Sequence, residues 1–221
     1  SARAVYSDDT AETDQNHLGP TDVETTVPVE PKKEKKDSIK GVITTVAIFL
    51  LAPLVAVFLT VYVFQSYEVD GSSMESTLQN QDRLVVYKLP KTWATLFGNN
   101  YTPMRGEIVI FSRDEGFGNS RQLIKRVIGV PGDHVIIKNG SVTVFNDENP
   151  AGYDPDVGMS YARTGGTEGT VDITVADDEI FLLGDNRSNS LDSRVFGSIK
   201  QKDLTGRLLL RIYPLNKFDS F

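Results

Sequence analysis

From Val42 to Phe64 the chain reads VITTVAIFLLAPLVAVFLTVYVF, 23 residues without one charged side chain. At 1.5 Å per residue such a run makes roughly 34 Å of helix, enough to cross a hydrocarbon core about 30 Å thick with some tilt. A cleavable leader is the competing reading. However, the run is too long for a leader's apolar stretch, it begins some forty residues in, and no small-residue cleavage site follows it. Pro53 near its centre is compatible with a transmembrane helix, in which proline kinks without ending the helix. Lys32, Lys33, Lys35, Lys36 and Lys40 precede the run, whereas Tyr67, Glu68, Val69 and Asp70 follow it. Cytoplasmic flanks carry the excess of Lys and Arg, so the chain before the span is expected inside and everything after Phe64 outside. This predicts a single-pass protein of the cell membrane with a cytoplasmic N-terminus.

The span divides the chain into unlike parts. Residues 1–41 contain DDTAETD and PKKEKKDSIK with almost no large apolar residues. Such a segment cannot bury enough surface to offset its ordering entropy, and reads as a disordered cytoplasmic tail. Residues 65–221 instead carry short runs rich in Val and Ile. These are DRLVVYK, GEIVIFSR, QLIKRVIGV, DHVIIKNGSVTVFN, VDITVADDEIFLLG and GRLLLRIYP, each bounded by Gly, Pro, Asn or Asp. Asn139-Gly140 between alternating runs signals a tight hairpin. The expectation is a mainly β, antiparallel extracytoplasmic domain, either a folded sheet or a partly closed barrel. Residues 147–169 read as a small Gly/Asp-rich insertion, a loop or flap. In LPKTWATLFGNNYTPM (89–104), Trp93 and Phe97 stand four apart. Two placements are open for them: an aromatic contact with the membrane interface, helped by Lys88 and Lys91, or the inner face of a short helix packed on the sheet.

Composition removes several chemistries. Net charge is −7, which argues against nucleic acid as a partner, because phosphate backbones are bound by basic stripes. There is no cysteine, so disulfides, thiol catalysis and thiolate metal sites are out. His17 and His134 are too few for a zinc centre built on several histidines, and neither metal nor cofactor is expected. His134 stands alone beside a Pro-Gly-Asp turn, a poor basis for a Ser-His-Asp triad.

A serine-lysine pair is the remaining nucleophilic chemistry, in which a neutral amine takes the serine proton. That requires burial to bring the lysine down from its ordinary pKa of about 10.4 toward neutrality. In QLIKRVIGV, strand alternation puts Lys125 on one face with Leu123 and Val127, and Arg126 on the other with Ile124 and Ile128. Flanking Leu and Val supply the apolar surroundings that such a base requires.

Three segments, in order after the span, carry a family resemblance. EVDGSSMESTLQNQDRLVVYK (68–88) resembles the nucleophile region of bacterial type I signal peptidases, approximately V-x-G-x-S-M-x-P-T-L before a strand. IKRVIGVPGD (124–133) resembles that family's general-base motif, and LLGDNRSNSLDSRVFG (182–197) its Gly-Asp-Asn-x-x-Asn-Ser-x-Asp-Ser-Arg box. The resemblance implies a membrane-bound serine endopeptidase that removes signal peptides from secreted preproteins through an acyl-enzyme, with small residues at the first and third positions before the cut. It implies Ser73 as nucleophile, with Ser72 at a variable position, Lys125 as general base and Ser190 as the hydroxyl that orients the lysine. Asp192 and Arg194 would support the loops as an ion pair. The Ser73 N–H would hold the oxyanion. Gly71 stands where some relatives place an assisting serine. Ser76, Ser188 and Phe196 depart from the family's usual Pro, Asp and Trp, but remove no catalytic atom. Lysine as base and one anchor resemble the compact Gram-positive type. Partners implied are preprotein signal peptides, membrane lipid and functional coupling to the secretion translocon. Two other readings are weighed. A self-cleaving repressor with related chemistry is opposed by the span and by the lack of a DNA-binding module. A catalytically silent assembly chaperone or binding module for secreted pilins would be expected to lack the serine or the lysine.

Overall fold

The computed structural model describes residues 34–116, 118–158, 161 and 163–221. The tail reading lies outside the described residues as far as residue 33. From Glu34 onward it is corrected, because helix α1 runs Glu34–Phe58 and so begins ahead of Val42. Glu and Lys are good helix formers, so EKKDSIK extends the helix although it cannot enter hydrocarbon. A π-helical turn, Leu59–Val63, completes the apolar stretch. Ile39–Val63 is long and apolar enough to span a membrane, with a mean hydropathy of 2.7, and of these residues only Val63 is buried in the protein. The chain up to Ala47 and the chain from Ile48 to Phe221 form two separate units.

After the turn come strand β1 (Phe64–Glu68), β2 (Arg83–Tyr87) and helix α2 (Leu89–Leu96). Strands β3 (Ile108–Gly116) and β4 (Asn119–Gly129) form one long hairpin. They are followed by β5 (His134–Lys138), β6 (Ser141–Phe145), β7 (Val171–Thr174) and β8 (Glu179–Leu183). The chain closes with α3 (Ser193–Phe196), β9 (Ile199–Lys200), β10 (Leu204–Tyr213) and β11 (Asp219–Ser220). The main sheet has the order β1-β2-β10-β3-β4-β8-β9, with β11 added beside β10. A second sheet has the order β6-β5-β7, and the named strands pair antiparallel throughout. The architecture is thus mainly antiparallel β, with a sheet that curls without closing.

The Asn139-Gly140 signal forms the two-residue β5–β6 turn, with Lys138 opposite Ser141 and φ of 53° at Asn139. The run VDITVADDEIFLLG makes two strands in different sheets, because the chain turns at Asp177 and Asp178: β7 pairs with β5 and β8 with β4. The polar ends SRDEG and NSR also pair across the β3–β4 hairpin, as backbone ladders do not need apolar side chains.

Three buried clusters hold the domain. Ile128, Val135, Ile137, Val144 and Phe181 fill the space between the sheets, and Val109, Phe111, Val127 and Leu182 pack beside them. Val69, Met74, Leu78, Leu84, Ile108 and Leu208 underlie the loop after β1, which carries Ser73. Val69 before Ser73 and Met74 and Leu78 after it are buried, and burying each contributes roughly 1.5–3 kcal/mol. The loop that carries Ser73 is therefore clamped on both sides of it by the core.

Candidate active site

Lys125 sits in the middle of β4, opposite Val109 of β3, where the strand is covered on both faces. Its side chain is 2% exposed, and Nζ lies 2.6 Å from Ser73 Oγ. The amine also donates to the Ile124 carbonyl at 2.9 Å. Burial pushes its pKa down to about 8. Asp192 and Asp185 oppose the shift, whereas Arg121 adds to it. A lysine in this state is partly neutral at neutral pH and hydrogen-bonded to a serine hydroxyl, so it can take that proton. Ser73 and Lys125 open onto a cleft of about 250 Å³ whose wall includes Tyr67, Val69, Ile110 and Leu123. A larger cavity, about 920 Å³, opens beside Arg126 and Arg211, but neither Ser73 nor Lys125 lines it.

Ser72 does not share this position. Its hydroxyl accepts from Asn189 Nδ2 at 2.8 Å, and its carbonyl accepts from Asn186 Nδ2 at 3.1 Å. The Asn186 N–H donates to the Ser73 carbonyl at 3.1 Å. The turn after β8 thus grips the loop that carries Ser73 through two asparagines that motif reading passed over. They lie in the same GDNRSNS box as Ser190, which was the available signal. Gly184 comes so close that a Cβ there would collide with the Ser73 carbonyl and with Ser190 Oγ, so this contact needs a glycine.

That turn is itself set by buried charge pairs. Arg194 binds Asp192 through Nε and Nη2, both at 2.8 Å, and Asp192 also accepts from the Gly184 N–H at 3.1 Å. Arg126, next to Lys125, makes a bidentate pair with Asp185 at 2.8 and 2.6 Å. Thr77 of the nucleophile loop donates to the same carboxylate at 2.5 Å. Arg187 donates to the Gly184 carbonyl at 3.0 Å and reaches Asp156 and Thr167 of the 147–169 insertion. Two hydrogen bonds join Thr164 to this turn, from its N–H to the Asp185 carbonyl and from the Arg187 N–H to its own carbonyl. The insertion is therefore stitched to the site by polar contacts that satisfy buried charges, and removing one partner would leave the other uncompensated.

Three further residues make no hydrogen bond to Ser73 or Lys125. Ser190 Oγ is buried beside Gly184 and makes no hydrogen bond among the described residues, so the orienting contact with Lys125 is not formed. His134 pairs with Asp172 at 2.7 Å on the small sheet. Gly71 offers no hydroxyl, and its N–H donates to Asn80 Oδ1 at 2.9 Å.

The family model for signal peptidase, peptidase S26, matches residues 29–213. Signal peptidase I P of Bacillus subtilis subsp. natto is 33% identical over 193 residues, covering 85% of this chain and 96% of that protein. A probable signal peptidase I-2 of Synechocystis sp. is 33% identical over 170 residues, covering 74% and 70% respectively. The crystal structure of a signal peptidase I from Enterococcus faecalis V583 matches at a TM-score of 0.36 with 27% identity, covering 48% of this chain and 96% of that one. With its apolar anchor helix and buried serine-lysine contact, this chain belongs to the signal peptidase I family, peptidase S26.

Proposed function

We propose that this membrane-anchored serine endopeptidase cleaves signal peptides from preproteins, with Ser73 as nucleophile and Lys125 as general base. The observation that carries the assignment is the 2.6 Å contact between Ser73 Oγ and a 2%-exposed Lys125 Nζ. Lys125 takes the hydroxyl proton as Ser73 Oγ attacks the scissile carbonyl carbon. The Ser73 N–H receives the developing oxyanion. Collapse breaks the C–N bond, and the leaving amine takes the proton from the Lys125 ammonium. Water, deprotonated by the neutral Lys125 amine, then attacks the acyl carbonyl, and the Lys125 ammonium returns the proton to Ser73 Oγ as the ester C–O bond breaks. The small cleft, with Tyr67, Val69, Ile110 and Leu123 in its wall, suits short side chains at the first and third positions before the cut.

Asp192 and Arg194 act by fixing Gly184, and through it the loop that presents Ser73. Ser190 is a spare hydroxyl in the same turn, available to the lysine once Ser73 has become acylated. The lysines preceding the apolar run support a cytoplasmic N-terminus and an extracytoplasmic catalytic domain, with the span in lipid. Functional coupling to the translocon that delivers the preprotein belongs to the same proposal. Detergent-solubilised wild type should process a bacterial preprotein, whereas Ser73→Ala and Lys125→Ala should each fall to background and Ser72→Ala should retain most activity. An inactive Ser72→Ala beside an active Ser73→Ala would overturn the assignment.

A further inference from the structure

Arg121 lies near the start of β4, four residues before Lys125, and strand alternation puts it on the same face as Leu123 and Lys125. It is exposed, and it forms part of the wall of the cleft that holds Ser73 and Lys125. Its guanidinium makes no hydrogen bond or ion pair among the described residues. Every other arginine there pairs with a carboxylate, except Arg113, whose guanidinium sits 4.8 Å from the centre of the Phe196 ring. Arg113 is also the residue directly opposite Arg121 across the β3–β4 hairpin. Like charges so placed repel each other, and neither has an ion pair to offset the repulsion. Two carboxylates line the same cleft, but Glu68 is held by Arg83 at 3.6 Å and Asp70 makes no ion pair with Arg121.

The backbone beside Arg121 is open as well. β8 pairs with β4 only from Arg126 to Gly129, so the edge of β4 from Asn119 to Lys125 has no neighbouring strand on that side among the described residues. An extended peptide can add to such an edge through main-chain hydrogen bonds, presenting alternate side chains to one face. Residues directly opposite each other in a ladder share a face. Lys125 Nζ lies 2.6 Å from Ser73 Oγ, so the first residue before the cut falls opposite Lys125. The third then falls opposite Leu123 and the fifth opposite Arg121, about 13 Å along the strand. The peptide cannot run the other way along β4, because β8 occupies the edge from Arg126 onward.

We infer that Arg121 is a specificity-determining residue, which favours preproteins with an acidic side chain at the fifth residue before the cut and disfavours a basic one there; this rests on the reading of the cleft as the signal-peptide site. An arriving carboxylate gains a guanidinium that has no other partner, and it relieves the repulsion between Arg121 and Arg113. The pair is exposed to solvent, so its effect is graded, roughly two- to fivefold in kcat/KM for one charge gained or reversed. It also reaches the base. Burial is the main cause of the low Lys125 pKa; Asp192 and Asp185 oppose it, and Arg121 adds to it. A substrate carboxylate on Arg121 therefore makes Lys125 slightly harder to deprotonate while it tightens binding.

The detergent-solubilised full chain would be assayed on soluble Ala-x-Ala peptides that differ only in carrying Glu, Gln or Lys at the fifth residue before the cut. Wild type should favour Glu over Lys by about tenfold in kcat/KM at low ionic strength, with Gln between, and the ratio should shrink in concentrated NaCl. Arg121→Gln should bring the three peptides within about twofold of one another, and Arg121→Glu should reverse their order. On the Gln peptide, the pH midpoint of kcat/KM should move upward in Arg121→Gln, because a cation beside Lys125 is lost. The side chain is exposed and unpartnered, so both variants should melt no lower than wild type. Equal rates on the three peptides in wild type, or a preference for Glu that survives Arg121→Gln, would overturn the inference while leaving the signal-peptide reading intact. A charge preference that Arg121→Glu reverses at the fourth or sixth residue, and not at the fifth, would overturn the register on which it stands. Wild type that cuts neither these peptides nor a preprotein would overturn the reading of the cleft as well.

Discussion

The Asn186 N–H donates to the Ser73 carbonyl at 3.1 Å, and the same residue's side-chain amide donates to the Ser72 carbonyl at 3.1 Å. One residue of the turn after β8 thereby sets the backbone on both sides of the bond joining Ser72 to Ser73. Nucleophilic attack depends on sub-ångström placement of Oγ, and a misplacement of about 1 Å can cost on the order of 100-fold in rate.

Replacing Asn186 with Ala should therefore act on kcat. A fall of roughly 10- to 100-fold with KM within about twofold is expected. Asn189→Ala, which loses only the bond to the Ser72 hydroxyl, should fall by less than about tenfold. Steady-state kinetics on a preprotein would check both. An unchanged kcat in Asn186→Ala would mean that the core contacts of Met74 and Leu78 place Ser73 unaided.

Ser190 offers a sharper contrast. Its hydroxyl is buried without a partner, so Ser190→Ala removes an unsatisfied polar group and should leave the melting temperature unchanged or raised. If the hydroxyl serves Lys125 during turnover, kcat should nevertheless drop about tenfold. Calorimetry and kinetics on one preparation would check this. A variant with full activity would remove Ser190 from the mechanism.

Strand positions, the Asn139-Gly140 turn and the lysine in β4 were legible because each is a local pattern, either period-two hydropathy or a turn dipeptide. The nearness of Lys125 to Ser73 was not local. It came from motif resemblance, since no spacing rule brings residues 73 and 125 together. What remained hidden is polar. Thr167, Asp185 and Arg187 are buried, yet hydropathy assigns such residues to the surface, so the anchoring of the insertion could not be read. The helical start at Glu34 was masked by a charge-rich composition that suits both a tail and a helix. For Trp93 and Phe97 the periodicity identified the helix face, but which medium covers a face is not written in its period.

Lys125 should also mark the protein's stability. Its pKa falls from 10.5 to about 8 on folding, so below pH 8 the folded state must charge a buried amine, at a cost of about 3 kcal/mol. That cost is relieved as pH rises from about 8 to 10.5. Lys125→Met should be the more stable protein below pH 8, with the difference from wild type shrinking across that window. Denaturant titrations at pH 7, 9 and 10.5 would check it, and a constant difference would argue that the amine is not desolvated.

The most direct test of the dyad is the pH dependence of kcat/KM for preprotein cleavage, measured between pH 6 and 10 in the presence of a chelator. Catalysis by a neutral Lys125 predicts activity that rises with pH to a plateau, with an apparent pKa near 8 and no loss on chelation. A profile that is flat or falling through pH 7–9, or activity that chelation removes and added zinc restores, would contradict Lys125 as the base that activates Ser73.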